Sequence, residues 1–313
     1  MDNFLYHGDN LIVLREHIPD DSIALVYLDP PFASQRDYLL LGTTPPGSGK
    51  PETPAFADVW AWDEEAYEAF RKEDACSPLT AALTALVEAR KRDSLAAYLV
   101  MMAPRLIELR RVLSPTGSLY LHCAPAASHY LKILLDVLFR PENFRREIVW
   151  RSGWVSGFKT RAQNWVRNHD ILLYYVRDQR HFTFHTEARF RPHPSGYTRR
   201  GGGASPFGIA IDDVWDEPAL YSPWIKSFSR EKCGYATQKP LALLDRIVRV
   251  SSSPGDCVLD PFCGGGTTLL AAQALGRHWI GIDYSAQAIS LSRQRLAGID
   301  YKFQEIGERG KTE

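Results

Sequence analysis

Short apolar runs alternate along the chain with longer segments in which apolar residues recur every three or four positions. The short runs are rich in β-branched and aromatic residues, a pattern typical of buried strands. They predict strands at 22–28, 117–123, 147–150, 171–176, 256–260 and 278–283. The helical spacing predicts helices at 63–70, 94–113, 128–139, 241–250, 266–275 and 285–296. Strands that alternate with helices favour an α/β fold, a doubly wound and mostly parallel sheet covered on both faces.

Single residues refine these predictions. Pro104 lies inside the helical pattern and should kink or divide that helix, because proline has no N–H and its ring crowds the preceding turn. Ser128 is a candidate N-cap for the next helix, and Ser285 is one for the last helix. Residues 114–117, SPTG, are expected to form a turn.

Two stretches interrupt the alternation. Residues 35–93 contain the cluster GTTPPGSGKPETP, which has no periodicity and indicates an insertion with a long loop. Between 181 and 235, glycine, proline, arginine and aromatic residues follow one another irregularly, which favours a separate recognition segment. The chain is therefore predicted to divide into 1–180, with its insertion, then 181–235 and 236–313.

Composition excludes several classes of protein. The 313 residues are 45% hydrophobic and 24% charged, as in ordinary globular domains. No run of eighteen apolar residues occurs, and the N-terminus has no signal-peptide pattern, so no membrane span is expected. The five cysteines are odd in number and include no CxxC, which argues against a disulfide framework or a metal site and favours the cytoplasm.

Charge is balanced overall and uneven locally. The net charge is zero, but residues 140–200 hold thirteen Lys and Arg against five Asp and Glu, an excess of eight. Such asymmetry predicts one basic face that could meet a polyanion. The alternative is an arginine-rich loop region that is simply solvated.

A glycine-rich turn follows the predicted strand at 256–260. Gly264, Gly265 and Gly266 lead from Asp260 into a helix, and a second strand ends at Asp283, 23 residues after Asp260. Glycines let the backbone approach a ligand, and a carboxylate about 20 residues on can hold a ribose. The turn lacks GxGxxG and a Walker lysine, so an adenosyl sulfonium cofactor fits better than a dinucleotide or a nucleoside triphosphate. The alternative is a tight turn without a ligand.

The second unusual turn is DPPF, which begins where the strand at 22–28 ends. Asp29 offers a carboxylate, and the Pro30 carbonyl offers a second acceptor. Pro31 fixes φ and keeps the preceding residue extended, while Phe32 provides a flat apolar face. Such a pair of acceptors suits the two N–H groups of an amino group on an aromatic base. The alternative is a rigid turn capped by an aspartate.

With both turns in place, the chain resembles bacterial DNA amino-methyltransferases of the β order. In that family the motif (D/N/S)PP(Y/F) precedes the cofactor loop, as LDPPFAS precedes LDPFCGGGTT here. Other segments also look like family segments at the expected places: HGDN, SPTGSLYLHC, ENFRREIVW, NHDILLYYV, YATQKPLALLDRIV and GIDYS. The resemblance covers most of the chain and implies a Rossmann-like methyltransferase fold with an inserted target-recognition segment.

The resemblance also implies what each part does. Residues 1–180 would form the catalytic part, 181–235 the target-recognition segment, and 236–313 the part of the same domain that binds S-adenosyl-L-methionine. The catalytic residues would be Asp29, Pro30, Pro31 and Phe32. The cofactor residues would be Asp9, Asn10, Thr237, Lys239, Asp260, Phe262, Cys263, Gly264, Gly266, Thr267, Asp283 and Ser285.

Within that cofactor set, position assigns finer roles. Asp9 and Asn10 match a segment near the adenine of the cofactor, and Asp283 matches the acid that binds the ribose. Lys239 lies in a segment that touches the cofactor's carboxylate, and its charge suits that contact.

DNA is the partner that the family implies. The candidate DNA-binding residues in the basic stretch are Arg145, Arg146, Arg151, Arg189, Arg191, Arg199 and Arg200. Each could contact a phosphate, or could read guanine in the major groove. The alternative for any one of them is a solvated surface charge.

We therefore expect a site-specific methyltransferase that acts on adenine N6 in double-stranded DNA after flipping the base out. An initial Asp in the motif favours adenine, whereas Ser favours cytosine N4. The alternatives are an N4-cytosine enzyme, an enzyme acting on RNA or on a protein amide, and a non-catalytic DNA-binding module. A cognate restriction endonuclease and a homodimer are further partners that the family brings into consideration.

Overall fold

The structure is a computed structural model. It describes residues 2–31, 60–73, 77–154, 163–192, 208–222, 229, 231–235 and 237–307, and the backbone of 37–39 and 54–57.

A central sheet of nine strands runs through the described residues. Its strands are β1 (Phe4–His7), β2 (Ile23–Leu28), β5 (Leu113–Cys123), β6 (Phe144–Arg151), β7 (His169–Val176), β10 (Val214–Trp215), β11 (Cys257–Asp260), β12 (His278–Asp283) and β13 (Lys302–Glu305). Two antiparallel pairs lie outside it: β3 (Asp37–Leu39) with β4 (Pro54–Ala57), and β8 (Phe190–Arg191) with β9 (Ile209–Ala210). The helices are α1 (Asn10–His17), α2 (Glu64–Glu73), α3 (Pro78–Ala89), α4 (Ser94–Val112), α5 (Pro125–Phe139), α6 (Leu241–Ser251), α7 (Thr267–Ala274) and α8 (Ala286–Arg295).

The strand order is β10-β6-β7-β5-β2-β11-β12-β1-β13. Neighbouring strands pair in parallel except at β7, which is antiparallel to both β5 and β6. At the centre, β2 and β11 lie side by side. From β2 the sheet continues to β5 on one side, and from β11 it continues to β12 on the other. The sheet is thus extended outward in both directions from the β2–β11 pair. Open α/β sheets bind ligands at such switch points, at the carboxyl ends of the strands.

Alternating residues of β2 supply two separate cores. Val26 and Leu28 pack into the cluster that includes α1, α4 and α5, whereas Leu25 and Tyr27 pack into the cluster that includes α6 and α7. Alternate residues of a strand point to opposite faces. Helices therefore cover both faces, and the predicted doubly wound, mostly parallel α/β fold is confirmed.

Pro104 was predicted to kink or divide its helix, and it does not divide it. The helix α4 is continuous from Ser94 to Val112 with Pro104 inside it. A proline leaves carbonyls of the preceding turn without their usual N–H partners. The carbonyl that loses its N–H partner is that of Val100, four residues before Pro104, and Arg105 Nη1 donates to the next carbonyl, that of Met101, at 2.9 Å.

Two other local predictions were wrong. Helix α5 begins at Pro125 with Ala124 at the N-cap, and the Ser128 hydroxyl donates to the Pro125 carbonyl instead of capping. Proline at the first position favours this earlier start. The stretch 114–117 belongs to β5, where the register shifts between Leu113 and Ser118 and an irregularity absorbs the turn-like residues.

Part of the segment at 181–235 joins the main sheet. Strand β10 pairs in parallel with β6 at its edge, and Trp215 is buried there. Hydrogen bonds from His185 N to the Val250 carbonyl and from Thr183 N to the Thr116 carbonyl tie the start of the segment to the same body.

Within the described ranges, we find no helix that is long and apolar enough to span a membrane.

Candidate active site

A cavity of about 710 Å³ opens at the carboxyl ends of the central strands. We call it the central cavity. Its wall includes Gly8 after β1, Asp29 after β2, Asp260 at the end of β11 and Asp283 at the end of β12. These four strands are neighbours in the sheet. The two turns singled out in the sequence therefore meet at one place, about 230 residues apart in the chain.

Asp29 is nearly buried and paired with a cation. Its Oδ2 accepts a hydrogen bond from Lys239 Nζ, and the two side chains are 15% and 10% exposed. Pro30 and Pro31 follow Asp29 in the cavity wall. Phe32 lies outside the described residues. Asp29 thus places a carboxylate held by Lys239 in the cavity wall, directly before Pro30.

A second row of polar groups lies behind Asp29. His122 on β5 is fully buried, with Nδ1 4.0 Å from Asp29 Oδ1 and 2.9 Å from the Tyr27 hydroxyl. Its Nε2 lies 3.4 Å from Asp170 Oδ2 on β7, and Arg167 contacts the same carboxylate.

These partners keep Asp170 ionised. Burial acts to raise its pKa, but the hydrogen bond with His122 and the charges of His122, Lys239 and Arg167 outweigh burial and hold the pKa well below its usual range. A row of polar and charged side chains therefore runs from Arg167 at the surface through Asp170 and His122 to Asp29.

Asp260 holds the glycine turn from inside. It is 2% exposed; Oδ2 accepts from the Thr268 hydroxyl at 2.5 Å, and Oδ1 accepts from Phe262 N at 3.0 Å. Burial, with the nearby charges of Asp29 and Asp283, raises the pKa of Asp260 to about 7. Its side chain fixes the loop that begins α7.

Asp283 joins the glycine turn to the next helix. Its Oδ2 accepts from Gly264 N and its Oδ1 from Ser285 N, both at 2.8 Å. Burial raises its pKa above the ordinary value. A carboxylate oxygen has more than one lone pair, so Asp283 can still accept bonds from a ribose.

The glycines of the turn are needed for space as well as for conformation. Gly264 has φ +50°, and a Cβ there would lie 2.7 Å from the Tyr235 ring. Gly266 has φ +73°, and a Cβ there would lie 2.8 Å from Ser292 Oγ. The Ser292 hydroxyl donates to the Gly264 carbonyl at 2.7 Å, which ties α8 to the turn.

At the β1 end, an arginine from α4 orders the predicted adenine segment. Arg105 donates from Nη2 to Asp9 Oδ1 at 2.8 Å and from Nε to Asn10 Oδ1 at 2.6 Å. Asn10 Nδ2 donates in turn to the Pro261 carbonyl at 2.7 Å. This network links β1, α4 and the turn after β11.

The structure brings nearly all of the predicted cofactor residues together. Those that line the central cavity are Asp9, Asn10, Thr237, Lys239, Asp260, Phe262, Cys263, Gly264, Thr267, Asp283 and Ser285. Gly266 is the exception: it lies behind the wall against Ser292. Within the cavity, Lys239 contacts the predicted catalytic residue Asp29.

The predicted DNA-binding arginines are dispersed. Arg151 ends β6 at the same edge as the cavity, whereas Arg145 and Arg146 lie near the start of that strand. About five residues of strand, roughly 17 Å, separate the two positions. Arg145 packs over the Phe182 ring, and Arg146 lies 3.8 Å from Asp213.

The other predicted arginines lie in the segment after β7. Arg191 is 3.6 Å from Glu217, and Arg189 packs over Phe190. Arg199 and Arg200 lie outside the described residues.

The sequence interpretation missed several residues of the site: Trp60, Arg105, Tyr235, and, behind Asp29, His122 and Asp170. A signal existed for His122, a polar residue near the end of an otherwise apolar strand that is parallel to β2. Arg105 and Trp60 depend on how α4 and the residues before α2 pack, which local pattern does not determine.

Comparison with known proteins agrees with this geometry. A family model described as DNA methylase, for N6 and N4 methyltransferases, matches residues 23–294. The DNA adenine methyltransferase YhdJ of Escherichia coli (strain K12) is 27% identical over 299 residues, 93% of this chain and 82% of the relative. The Type II methyltransferase M.BamHI of Bacillus amyloliquefaciens is 28% identical over 291 residues, 89% of this chain. The chain spans only about half, 54%, of M.BamHI.

Solved structures share the fold at lower identity. The M1.HpyAVI–SAM complex has a TM-score of 0.54 and 18% identity, with 94% of this chain and 98% of that chain covered. The cytosine-N4-specific PvuII DNA methyltransferase has a TM-score of 0.58 and 16% identity, with 96% and 89% covered. The matched family model spans most of the chain and both motif turns. The chain therefore belongs to the N6/N4 family of DNA methylases, whose members use S-adenosylmethionine.

Proposed function

We propose that this protein transfers a methyl group from S-adenosyl-L-methionine to the exocyclic N6 of adenine in duplex DNA. One observation carries the proposal: the DPP turn and the glycine turn face the same cavity, with Asp29 and Asp283 in its wall. A site for methyl transfer to an amino group needs an acceptor for the amino hydrogens beside a nucleoside site.

The cavity fits the cofactor by size and by donor set. Its volume of about 710 Å³ lies within the range of small-molecule sites. Asp283 would accept from the ribose hydroxyls, and the turn at Gly264 leaves backbone close to the ligand. Asp9 and Asn10, held by Arg105, would border the adenine. When bound, the cofactor supplies an electrophilic methyl group on a sulfonium.

Asp29 and Pro30 would hold the target amino group. The Asp29 carboxylate and the Pro30 carbonyl each accept one N–H, which aims the nitrogen lone pair into the cavity. As the nitrogen gains its fourth bond it becomes positive, and a fixed carboxylate beside it stabilises that charge. In the structure Lys239 bonds to the Asp29 carboxylate, and the buried His122 lies 4.0 Å from its other oxygen.

Duplex DNA is supported as the substrate by the surface around the cavity edge. Trp154 follows the end of β6 and Trp165 precedes the start of β7, and they are 49% and 97% exposed, close in sequence to Arg151 and Arg167. Exposed aromatic rings can stack on bases, and arginines can contact phosphates. A base inside a duplex must be flipped out to reach Asp29, at a cost of a few kcal/mol.

Adenine is favoured over cytosine by two observations. The motif begins with Asp29, and a relative that this chain covers to 82% is named a DNA adenine methyltransferase. The cytosine-N4 reaction remains the second candidate, because the cytosine-N4-specific PvuII enzyme shares the fold.

The names of two Type II methyltransferases among the relatives support a cognate restriction endonuclease as a partner. A homodimer stays a prediction.

Replacement of Asp29 by Ala tests the proposal. We expect labelled methyl transfer to duplex DNA to fall at least about 100-fold, because the amino group loses its charged acceptor. Calorimetry with S-adenosylhomocysteine should still detect binding. Undiminished methyl transfer in this variant would reject the catalytic role of Asp29, and transfer to RNA or protein but not to DNA would reject the substrate. Tight DNA binding without turnover in the unmodified protein would favour a non-catalytic module.

A further inference from the structure

Lys239 makes direct contact with the predicted catalytic carboxylate. Its Nζ donates to Asp29 Oδ2, and the Thr237 carbonyl lies 3.4 Å from the same nitrogen. Both charged side chains are nearly buried, so water screens the pair only weakly. Lys239 therefore determines how Asp29 is oriented and how much of its charge is felt in the cavity.

The same ammonium is the cation best placed to meet a carboxylate in the cavity. Of the described residues in the wall, the basic ones are Arg105 and Lys239. Arg105 already bonds to Asp9, Asn10 and the Met101 carbonyl. A carboxylate that leaves water needs a cation or several N–H donors. The methionine end of S-adenosylmethionine carries such a carboxylate.

We propose that Lys239 is a positioning residue that Asp29 and the cofactor's carboxylate share. Lys239 holds Asp29 before the cofactor binds, and the cofactor's carboxylate draws the ammonium away, which leaves Asp29 Oδ2 for the target amino group. This inference rests on the proposed function and adds an order to it: binding of the cofactor prepares Asp29.

The exchange of Lys239 from Asp29 to the cofactor's carboxylate would favour methyl transfer. While Lys239 stays on Asp29, the ammonium offsets the carboxylate and opposes positive charge on the nearby nitrogen. Methyl transfer places positive charge on that nitrogen, so Asp29 stabilises it best without a cation attached. Two carboxylates that compete for one ammonium must each weaken the other's hold, and this coupling is reciprocal.

Binding of two ligands to the full chain tests the competition without any turnover. S-adenosylhomocysteine keeps the carboxylate, whereas 5′-methylthioadenosine lacks it. In Asp29→Asn, which preserves shape and removes charge, S-adenosylhomocysteine should bind about fivefold more tightly or better. Binding of 5′-methylthioadenosine should not change. Isothermal calorimetry measures both dissociation constants.

Lysine variants complete the test. Lys239→Gln should weaken S-adenosylhomocysteine about fivefold or more, leave 5′-methylthioadenosine unchanged, and abolish the gain from Asp29→Asn in the double variant. Lys232→Gln removes a charge from the same segment outside the cavity wall and should leave both ligands unchanged. If Lys239→Gln does not fold, the two-ligand comparison in Asp29→Asn still decides.

The opposite results would overturn the inference. If Lys239 only anchors Asp29, the Asp29→Asn variant binds S-adenosylhomocysteine with an unchanged dissociation constant, and that result contradicts the inference. Equal changes for both ligands contradict it too, because they would not depend on the carboxylate. The proposed function would survive either result, since loss of methyl transfer in Asp29→Ala is measured separately.

Discussion

Three aspartates at the carboxyl edge of the sheet have similar sequence settings and different partners. Asp260 bonds inward to Thr268 and Phe262 N, Asp283 bridges Gly264 N and Ser285 N, and Asp29 pairs with Lys239. Each role follows from the partner, which comes from another element. Sequence could predict that these carboxylates meet, because each ends or follows a strand. It could not predict that Asp260 holds the loop.

The raised pKa of Asp260 predicts a pH dependence of stability. Its pKa is about 7 in the folded chain against an ordinary value of 3.8. The folded state thus binds the proton more tightly, and the stabilisation is complete below the ordinary pKa and lost as pH rises through about 7. Relative to Asp260→Asn, the wild type should lose up to about 3 kcal/mol of unfolding free energy between about pH 5 and 8.

Urea unfolding across that pH range measures this difference. The exposed Asp300→Asn serves as a control, and its curve should run parallel to that of the wild type. A wild-type curve that also runs parallel to the Asp260→Asn curve would contradict the raised pKa.

At the scale of elements, the pattern of apolar residues was sufficient to predict a strand or helix where the whole segment has the same kind of surroundings. Strands β2, β11 and β12 and helices α6 and α8 were predicted closely, because each is buried on both faces or has one apolar stripe. Prediction failed where a distant group changes the local rule. Strand β10 was not predicted, and it forms because β6 offers it a partner.

The glycine turn gives a matched test at this scale. Gly266 and Gly276 both have φ +73°, but a Cβ at Gly276 would meet nothing within 4 Å. Gly276→Ala should cost about 1–2 kcal/mol from backbone strain alone. Gly266→Ala should cost more, because its Cβ would displace Ser292 from the Gly264 carbonyl, and should also weaken binding of S-adenosylhomocysteine. Urea unfolding and calorimetry check both effects; equal losses in the two variants would contradict the packing role.

In the described part of the molecule, the polar cavity, two exposed arginines and an exposed tryptophan lie at the carboxyl edge of the central sheet. The central cavity, Arg151, Arg167 and Trp165 lie at the carboxyl ends of β2, β6 and their neighbours, where the loops around β7 also lie. The basic excess at 140–200 was visible in the sequence, but its division between two ends of β6 was not. Strand direction in the folded sheet decides which arginines can meet DNA beside the cavity.

Two arginines on one strand test where DNA lies. Arg151→Gln should weaken binding of a duplex oligonucleotide and reduce the slope of log Kd against log salt by about one, because a phosphate contact is lost. Arg146→Gln, near the other end of β6, should leave the slope unchanged. Fluorescence anisotropy over a salt series measures both. The same loss of slope in both variants would contradict binding at the cavity edge.

Identification of the methylated base shows directly whether Asp29 directs methyl transfer to adenine N6. Duplex DNA is incubated with the protein and labelled S-adenosylmethionine, digested to nucleosides and examined by mass spectrometry, in parallel with Asp29→Ala. We expect labelled N6-methyldeoxyadenosine with the wild type and none with the variant. Labelled N4-methyldeoxycytidine, or an adenine product that persists in Asp29→Ala, would contradict adenine-N6 transfer that depends on Asp29.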